Sequence, residues 1–311
     1  MAFVKPFLEK CQFNYSKELD EFWEGLKEMN FYTPYKLSEN LFLIREKYAP
    51  DSHGGFIMGL VIGNTHAALI DSGMGVSSNL REVVESLTDK PIICILTHGH
   101  PDHAGAATLF DEVYMNSVDD VLLPVSLSPE RRLGDASHGT MGNQDIIDFM
   151  NANYVDCSNF KYTDYKEGTV FDLGGIKLEA FSIPGHTQGS MALLDRANNY
   201  AFIGDAVNVR TALVNLPSEK RVGLEAYRDG LRRFTSQINS ETKLYTGHSL
   251  DTMEHNIVED MLLAVSQVLN GETEHNQASN SPFSKRLQAA SKRMMEHTAG
   301  NVILVYDANL L

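Results

Sequence analysis

Three histidines and an aspartate fall within six positions, directly after a predicted buried strand at residues 91–96. These side chains are His98, His100, Asp102 and His103. Residues two apart in an extended segment point the same way, so His98 and His100 can bind one cation together. Gly99 and Pro101 then turn the backbone, which allows Asp102 and His103 to face a second cation. The cluster therefore predicts a two-metal site at the carboxyl end of a strand, where sites in α/β sheets usually lie.

The same order of strand end, glycine and metal-binding residue type occurs three more times along the chain. The segments are Pro184-Gly185-His186, Gly204-Asp205 and Thr246-Gly247-His248. Together with the first cluster they supply five histidines and two aspartates. Mixed imidazole and carboxylate donors suit borderline divalent cations such as Zn²⁺.

The apolar patterns predict an α/β fold made mainly of short strands. A strand at Ala67–Asp71, a helix near 80–87 and the strand at 92–97 form a strand–helix–strand unit. Further strands are predicted at 41–45, 56–62, 112–115, 169–172, 176–182, 191–195, 200–203, 243–245 and 302–306. Helices are predicted at 16–29, 224–234 and 252–270, with a basic helix at about 284–297.

We divide the chain into an N-terminal helical extension (1–40), a central domain (41–270) and a C-terminal helix and strand packing on the same domain (271–311). The central domain carries an insertion at 124–160, which prolines and glycines interrupt. We expect this insertion to be irregular apart from one helix near 145–151. Long irregular segments in compact domains tend to serve function, so we predict that it selects the substrate.

Composition excludes several classes of partner. The net charge of −15 opposes nucleic-acid binding, which requires a basic surface. No apolar run approaches the ~20 residues of a membrane span. Three scattered cysteines and an N-terminus without a signal-peptide pattern lead us to expect a cytoplasmic protein. The expected partner is a small-molecule substrate; the oligomeric state stays open, and a dimer is compatible with the sequence.

The motifs resemble those of the metallo-β-lactamase superfamily over roughly residues 40–270. The signature His-x-His-x-Asp-His appears at His98–His103, and the flanking segments match in order. These segments are Leu69–Gly73, Pro184–Ser190, Phe202–Asp205 and Gly247-His248. The resemblance implies a four-layer αββα sandwich with two divalent metal ions at one edge. Zn²⁺ is expected, with Fe or Mn as alternatives.

The resemblance also implies a role for each ligand position. Metal 1 would be held by His98, His100 and His186, and metal 2 by Asp102, His103 and His248. Asp205 would bridge the two ions, Asp102 would orient the water, and Asp71 would support the site without binding metal. The bridging aspartate is typical of the thioesterase, lactonase and RNA-processing branches, whereas true class B β-lactamases lack it.

The implied reaction is hydrolysis of a small ester, thioester or lactone by metal-bound hydroxide. The metal motifs resemble those of hydroxyacylglutathione hydrolases, but the short C-terminal segment does not support the same specificity. Two alternatives stay open: a mononuclear-iron persulfide dioxygenase, and a metal-binding regulator or sensor with weak hydrolase activity. The net negative charge of the chain disfavours a nuclease. Candidate substrate-binding residues are Asn208 and Arg210, which follow Asp205, and His138 in the insertion.

Overall fold

The computed structural model describes residues 31–47, 55–139, 144–157, 159–281, 284–285, 288 and 290–311. For 136–139 and 145–146 it describes only the backbone. The strands are β1 Tyr32–Lys36, β2 Leu41–Glu46, β3 Phe56–Ile62, β4 Ala67–Ile70, β5 Ile92–Ile95, β6 Val113–Met115, β7 Thr163–Asp164, β8 Val170–Asp172, β9 Lys177–Ser182, β10 Met191–Asp195, β11 Tyr200–Gly204, β12 Arg210–Ala212, β13 Lys243–Thr246, β14 Gln277–Ala278, β15 Met294–Ala299 and β16 Val302–Asp307. The α-helices are α1 Leu80–Leu87, α2 Pro101–Ala104, α3 Leu123–Ser126, α4 Pro129–Gly139, α5 Gln144–Asn153, α6 Val222–Thr235 and α7 Asn256–Asn270.

Within the described residues these strands form three sheets. Strands β1 to β7 make a seven-stranded sheet in chain order, and a five-stranded sheet has the order β13-β11-β10-β9-β8. The third sheet, β12-β16-β15-β14, joins the C-terminal strands to residues just after Asp205.

The two larger sheets pack face to face and are covered by helices on their outer faces. In β4, Ala68 and Ile70 join the cluster between the sheets, whereas Ala67 and Leu69 join the cluster that includes Val84 of α1. The outer face of the five-stranded sheet packs in the same way against α6 and α7. Because side chains alternate along a strand, strands buried on both faces are apolar throughout. The predicted four-layer αββα arrangement is confirmed.

The insertion is more helical than its sequence suggests. Residues 124–160 include the end of α3 and all of α4 and α5, and α4 was not predicted. Pro124 and Pro129 lie in the first turns of their helices and Gly139 at the end of α4. Proline is tolerated in a first turn, where the missing N–H has no helical partner, so it begins these helices rather than interrupting them.

Both chain ends differ from prediction. The predicted N-terminal helix at 16–29 lies outside the described residues, but Tyr32–Lys36, assigned to the helical extension, is a strand paired with β2. The predicted basic helix at 284–297 is wrong in its second half, because Met294–Ala299 is a strand. It pairs with β16 through the two-residue turn Gly300-Asn301, in which Gly300 has φ +52°. A positive φ at a tight hairpin turn favours glycine.

The described part of the chain holds no helix both long and apolar enough to cross a lipid bilayer. Cys94 and Cys157 are buried free thiols. Cys94 belongs to the core on the helix-covered face of the first sheet, as expected for a strand residue.

Candidate metal centre

The predicted ligand residues come from loops at the ends of four strands. The first cluster follows β5, where Pro101 begins the short helix α2 and carries Asp102 and His103 away from the strand direction. His186 follows β9, Asp205 follows β11, and His248 follows β13. The first sheet therefore supplies four ligand residues and the second sheet supplies three. The sandwich brings both sets to one edge.

The seven side chains form two groups. In the first, Nε2 of His98 lies 3.1 Å and Nε2 of His186 lies 2.9 Å from Nδ1 of His100. The second consists of Asp102, His103, Asp205 and His248. Within each group the ligand atoms all lie within 4.8 Å of one another.

Asp205 lies between the groups. Its Oδ2 is 2.9 Å from Nε2 of His248 and 3.7 Å from Nε2 of His186, and its Oδ1 is 3.7 Å from Nε2 of His103. Gly204 just before it has φ +49°, and a Cβ there would lie 2.4 Å from the hydroxyl of Thr97. Only glycine at this position allows the backbone to turn so close to Thr97. This turn places Asp205 between the two groups.

Asp71 fixes the orientation of His103. The Nδ1–H of His103 donates to Oδ2 of Asp71 at 2.7 Å, and the amide of Thr97 donates to Oδ1 at 2.7 Å. Asp71 has φ +64°, a left-handed conformation that aspartate adopts more readily than most residues. With Nδ1 bound to Asp71, Nε2 of His103 faces Asp102 and Asp205, where it can bind a metal ion in place of its proton.

The other imidazoles are held through their outer nitrogens. Nδ1 of His186 donates to the carbonyl of Ala212 at 2.9 Å, and Nδ1 of His98 lies 3.1 Å from the hydroxyl of Thr97. The outer nitrogen of His100, Nε2, lies 3.2 Å from the side-chain amide of Asn215. In His98 and His186 a protonated Nδ1 leaves the inner Nε2 with a lone pair that can bind a cation.

The electrostatics differ between the groups. Burial holds the pKa of His98 and His100 well below the ordinary value, and the neighbouring imidazoles add to this effect. Burial also opposes protonation of His103, but the carboxylates of Asp71, Asp102 and Asp205 outweigh it and hold its pKa well above the ordinary value. The low pKa keeps the imidazoles of His98 and His100 neutral, the form that binds metal.

Both the residue types of the site and the placement of its polar atoms fit divalent metal ions. Nε2 of His103 is buried and lacks a hydrogen-bond partner among the described residues. Its nearest carboxylate oxygens, on Asp102 and Asp205, are 3.8 and 3.7 Å away. A Cβ on Gly247 would lie only 2.4 Å from Cε1 of His103. An unsatisfied buried nitrogen among carboxylates is costly without a cation, so the donor set fits a metal.

The predicted substrate residues are placed differently. The side-chain amide of Asn208 lies 3.4 Å from Oδ1 of Asp205, next to the second group. The guanidinium of Arg210 is bound instead to Glu296 at 2.7 Å and to Ser279 at 2.9 Å, in the third sheet. His138 lies on α4, and its side chain is outside the described residues.

Sequence reasoning missed three polar residues around the site: Glu46, Asp119 and Asn215. Glu46 is fully buried and accepts hydrogen bonds from the amides of Met74 and Val76, beside the loop that carries Asp71. Its position two residues after the buried Ile44 was the available signal, because it places a carboxylate on the core face of a strand. Asp119 and Asn215 carried no comparable signal, since each lies in a loop or short turn.

Similarity to known proteins identifies the family of this chain. The profile of the metallo-β-lactamase superfamily matches residues 58–273. The chain belongs to this superfamily. The recognition made from the motifs is confirmed, and the match spans all seven positions of the two ligand groups.

Two curated relatives are hydrolases. The human acyl-coenzyme A thioesterase MBLAC2 is 25% identical over 201 residues, which cover 58% of this chain and 68% of the relative. The hydroxyacylglutathione hydrolase GloC of Haemophilus influenzae is 28% identical over 147 residues, which cover 46% of this chain and 61% of the relative. These likenesses support a hydrolase of the metallo-β-lactamase fold, a superfamily that typically binds metal ions.

Solved structures share the fold at low identity. A beta-lactamase domain protein from Burkholderia ambifaria has a TM-score of 0.57 and 16% identity, covering 87% of this chain and 93% of that one. A metallo-beta-lactamase from Pontibacter korlensis has a TM-score of 0.51 and 17% identity, covering 76% of this chain and 99% of that one. These likenesses concern the fold alone.

Proposed function

We propose that this protein is a hydrolase that uses two divalent metal ions to cleave an ester or thioester bond. The observation that carries the proposal is the position of Asp205, which lies within 3.7 Å of imidazole nitrogens from both ligand groups. A carboxylate shared in this way fits a pair of cations better than a single one. His98, His100 and His186 would hold one ion, and Asp102, His103 and His248 the other, with Asp205 between them.

The chain's own residues would position and orient the reactants. Zn²⁺ or a similar ion, when bound, lowers the pKa of water and polarises a carbonyl. The carboxylate of Asp102, partly exposed, would accept a hydrogen bond from the attacking water and orient it. The amide of Asn208, next to Asp205, would contact the acyl part of the substrate. No serine or cysteine nucleophile is required, because the attacking group is water. The thiol of Cys157 is buried and donates to the carbonyl of Gly105 at 2.9 Å.

We propose that the substrate carries an apolar acyl group and that the protein recognises the substrate by this group. The segment 117–126 contacts the metal loop directly, because the amide of Gly99 donates to Asp119 at 2.9 Å. The same segment exposes three valines spaced three and four residues apart. These are Val118, Val121 and Val125, with exposed fractions of 51, 80 and 63%. Exposed apolar side chains beside a site favour an apolar ligand, and one relative is by name an acyl-coenzyme A thioesterase.

The second candidate is an iron-dependent dioxygenase acting on a persulfide. Such chemistry requires a redox-active ion with open positions beside few protein ligands. The complete second group, Asp102, His103, Asp205 and His248, favours the hydrolase, because a single-metal enzyme does not need it. A regulator or sensor with the same fold would bind metal but would hydrolyse esters and thioesters only weakly.

The decisive experiment measures metal content together with turnover. Protein freed of metal is reconstituted with Zn²⁺ and assayed in strict anaerobiosis with acetyl, octanoyl and palmitoyl thioesters of coenzyme A, nitrophenyl acetate and a lactone. We expect close to two ions per chain, and thioester or ester hydrolysis at a rate that air does not change. His100→Ala should abolish turnover, whereas His66→Ala, in the distant turn between β3 and β4, should preserve it.

Two results would overturn the proposal. A zinc form that is inert, with an iron form that consumes dioxygen in the presence of glutathione persulfide, would establish the dioxygenase. Two bound ions with at most weak turnover of every ester, thioester and lactone would indicate the regulator or sensor.

A further inference from the structure

A buried carboxylate outside the predicted site joins the two loops that supply the three-histidine group. Asp119 is 1% exposed and lies on the short helical turn after β6. Its Oδ2 accepts from the amide of Gly99 at 2.9 Å and from the hydroxyl of Thr187 at 2.8 Å. Its Oδ1 accepts from the amide of Gly189 at 2.7 Å.

The donors are close to the ligands in the chain. Gly99 separates His98 from His100, and Thr187 directly follows His186. One carboxylate therefore holds loops from both sheets, and these are the loops that bring the three imidazoles together. By contrast, the imidazole of His103 in the other group is held by Asp71.

Close packing makes this contact specific. A Cβ on Gly189 would lie 2.6 Å from Cγ of Asp119, and a Cβ on Gly99 would lie 3.0 Å from its Cβ. Larger residues at either position would push the loop away from the carboxylate. Glycine at both positions is thus explained by the close approach of Asp119.

We propose that Asp119 is a positioning residue that sets the metal affinity of the three-histidine group and leaves the other group unaffected. The proposal rests on the metal sites of the proposed function. Its physical basis is that three donors converge on two carboxylate oxygens, so both loops are fixed before a metal binds. Residues that support metal ligands typically change the affinity by about 10- to 100-fold.

Asp119→Asn is the informative variant, because it keeps the size of the side chain. An amide offers one oxygen, so its NH₂ group must face the N–H of Gly99 or Gly189, or the hydroxyl of Thr187. Two facing donors cannot hydrogen-bond. At least one of the two loops therefore loses its fixed position.

The experiment measures Zn²⁺ affinity by competition with a chelator in two backgrounds. In Asp102→Ala/His248→Ala protein only the three-histidine group is complete, and in His98→Ala/His186→Ala protein only the other four-residue group is complete. We expect Asp119→Asn to lower the affinity by about 10- to 100-fold in the first background and to leave the second unchanged. Equal losses in both backgrounds, or no loss in the first, would overturn the proposal.

Matched controls separate this role from a general loss of stability. Asp195 is also buried, at 0% exposure, and accepts from the amides of Ala197 and Asn198 and from the side chain of Asn198. It lies at the end of β10 that is remote from the metal centre. Asp195→Asn should leave the affinity of both groups unchanged.

If Asp119→Asn does not fold, Thr187→Val decides the question. It removes one of the three hydrogen bonds to Asp119, and Thr242→Val removes a comparable buried hydroxyl, bound to Asn199 at 2.7 Å, as the control. We expect a smaller loss of affinity from Thr187→Val in the first background only. The readout is metal affinity and not turnover. This inference can therefore fail while hydrolysis is observed, and it can hold while no hydrolysis is observed.

Discussion

At the scale of single residues, the ligand positions depend on buried carboxylates that bind no metal in the proposed scheme. Glu46, Asp71 and Asp119 are each 3% exposed or less, and each accepts hydrogen bonds from backbone amides of loops near the site. A buried carboxylate is costly unless it is fully hydrogen-bonded. These hydrogen bonds to buried carboxylates therefore hold the loops around the candidate metal centre in place.

Glu46 gives a prediction about stability. Its Oε1 accepts from the hydroxyl of Tyr32 at 3.0 Å and from the amide of Val76, and its Oε2 accepts from the amide of Met74 at 2.6 Å. Glu46→Gln places an NH₂ group against one of these donors. We expect the free energy of unfolding, measured with urea, to fall by about 1–3 kcal/mol.

The control for this prediction is Glu39→Gln, because Glu39 has an 87% exposed side chain paired with Lys36. It should leave the free energy of unfolding nearly unchanged. Equal stability of Glu46→Gln and the wild type would show that Glu46 does not support the fold.

At the scale of elements, the described residues between the end of β6 and residue 157 carry the proposed substrate surface and contact the loops of the candidate metal centre. Arg132 of α4 is buried and donates to the carbonyl of Val155 at 2.6 Å and to that of Met74 at 2.7 Å. Met74 lies three residues after Asp71. The helices of the insertion are thus attached to the loop that orients His103, and Met150 and Val155 contribute to the core.

The valines of this segment give a prediction about specificity. Val121→Asn combined with Val125→Asn should raise KM for palmitoyl-coenzyme A by roughly tenfold, because the acyl chain loses apolar contact area. KM for acetyl-coenzyme A and the metal content should not change. Steady-state kinetics with both substrates tests this.

Val222→Asn, at the exposed start of α6, is the matched control and should affect neither substrate. If the double variant changes KM equally for acetyl and palmitoyl substrates, the valines do not contact the acyl chain.

At the scale of the whole molecule, metal binding would join the two halves of the sandwich. In the first sheet β5 leads to His98, His100, Asp102 and His103. In the second sheet β9, β11 and β13 lead to His186, Asp205 and His248. Each ligand group includes residues from both sheets. Metal ions that bind the folded state alone stabilise it in proportion to the logarithm of their free concentration.

This geometry predicts that removing the metal lowers the melting temperature. At free Zn²⁺ roughly 1,000-fold above Kd, each ion adds about 4 kcal/mol to the free energy of unfolding. Asp205→Ala should lose most of this stabilisation, because Asp205 contacts both groups. Calorimetry of the metal-free and zinc-loaded forms measures the difference.

Asp172→Ala, which removes an exposed carboxylate paired with Lys177, serves as the control and should keep the full gain. A full gain in Asp205→Ala would contradict the bridging role.

The sequence alone determined the family and the α/β class, and it predicted the seven residues that the structure brings together in two groups. Strands β3 and β10 were predicted at their observed bounds because a strand buried on both faces leaves a short continuous apolar run in the sequence. The ligand motifs were also local, since each glycine and its histidine or aspartate follow a strand directly. Such local patterns can be predicted from the sequence because they depend only on the residues of one segment.

The partners of residues that contact distant segments of the chain were decided only by the tertiary structure. Asp119 lies 20 residues from Gly99 and 70 from Gly189, so nothing near it in the chain indicates its partners. Arg210 follows Asp205 closely, yet β12 pairs with β16 and directs its guanidinium to Glu296, 86 residues away. The C-terminal strands form a sheet with β12 for the same reason: their pairing energy comes from a partner strand that the local sequence does not contain.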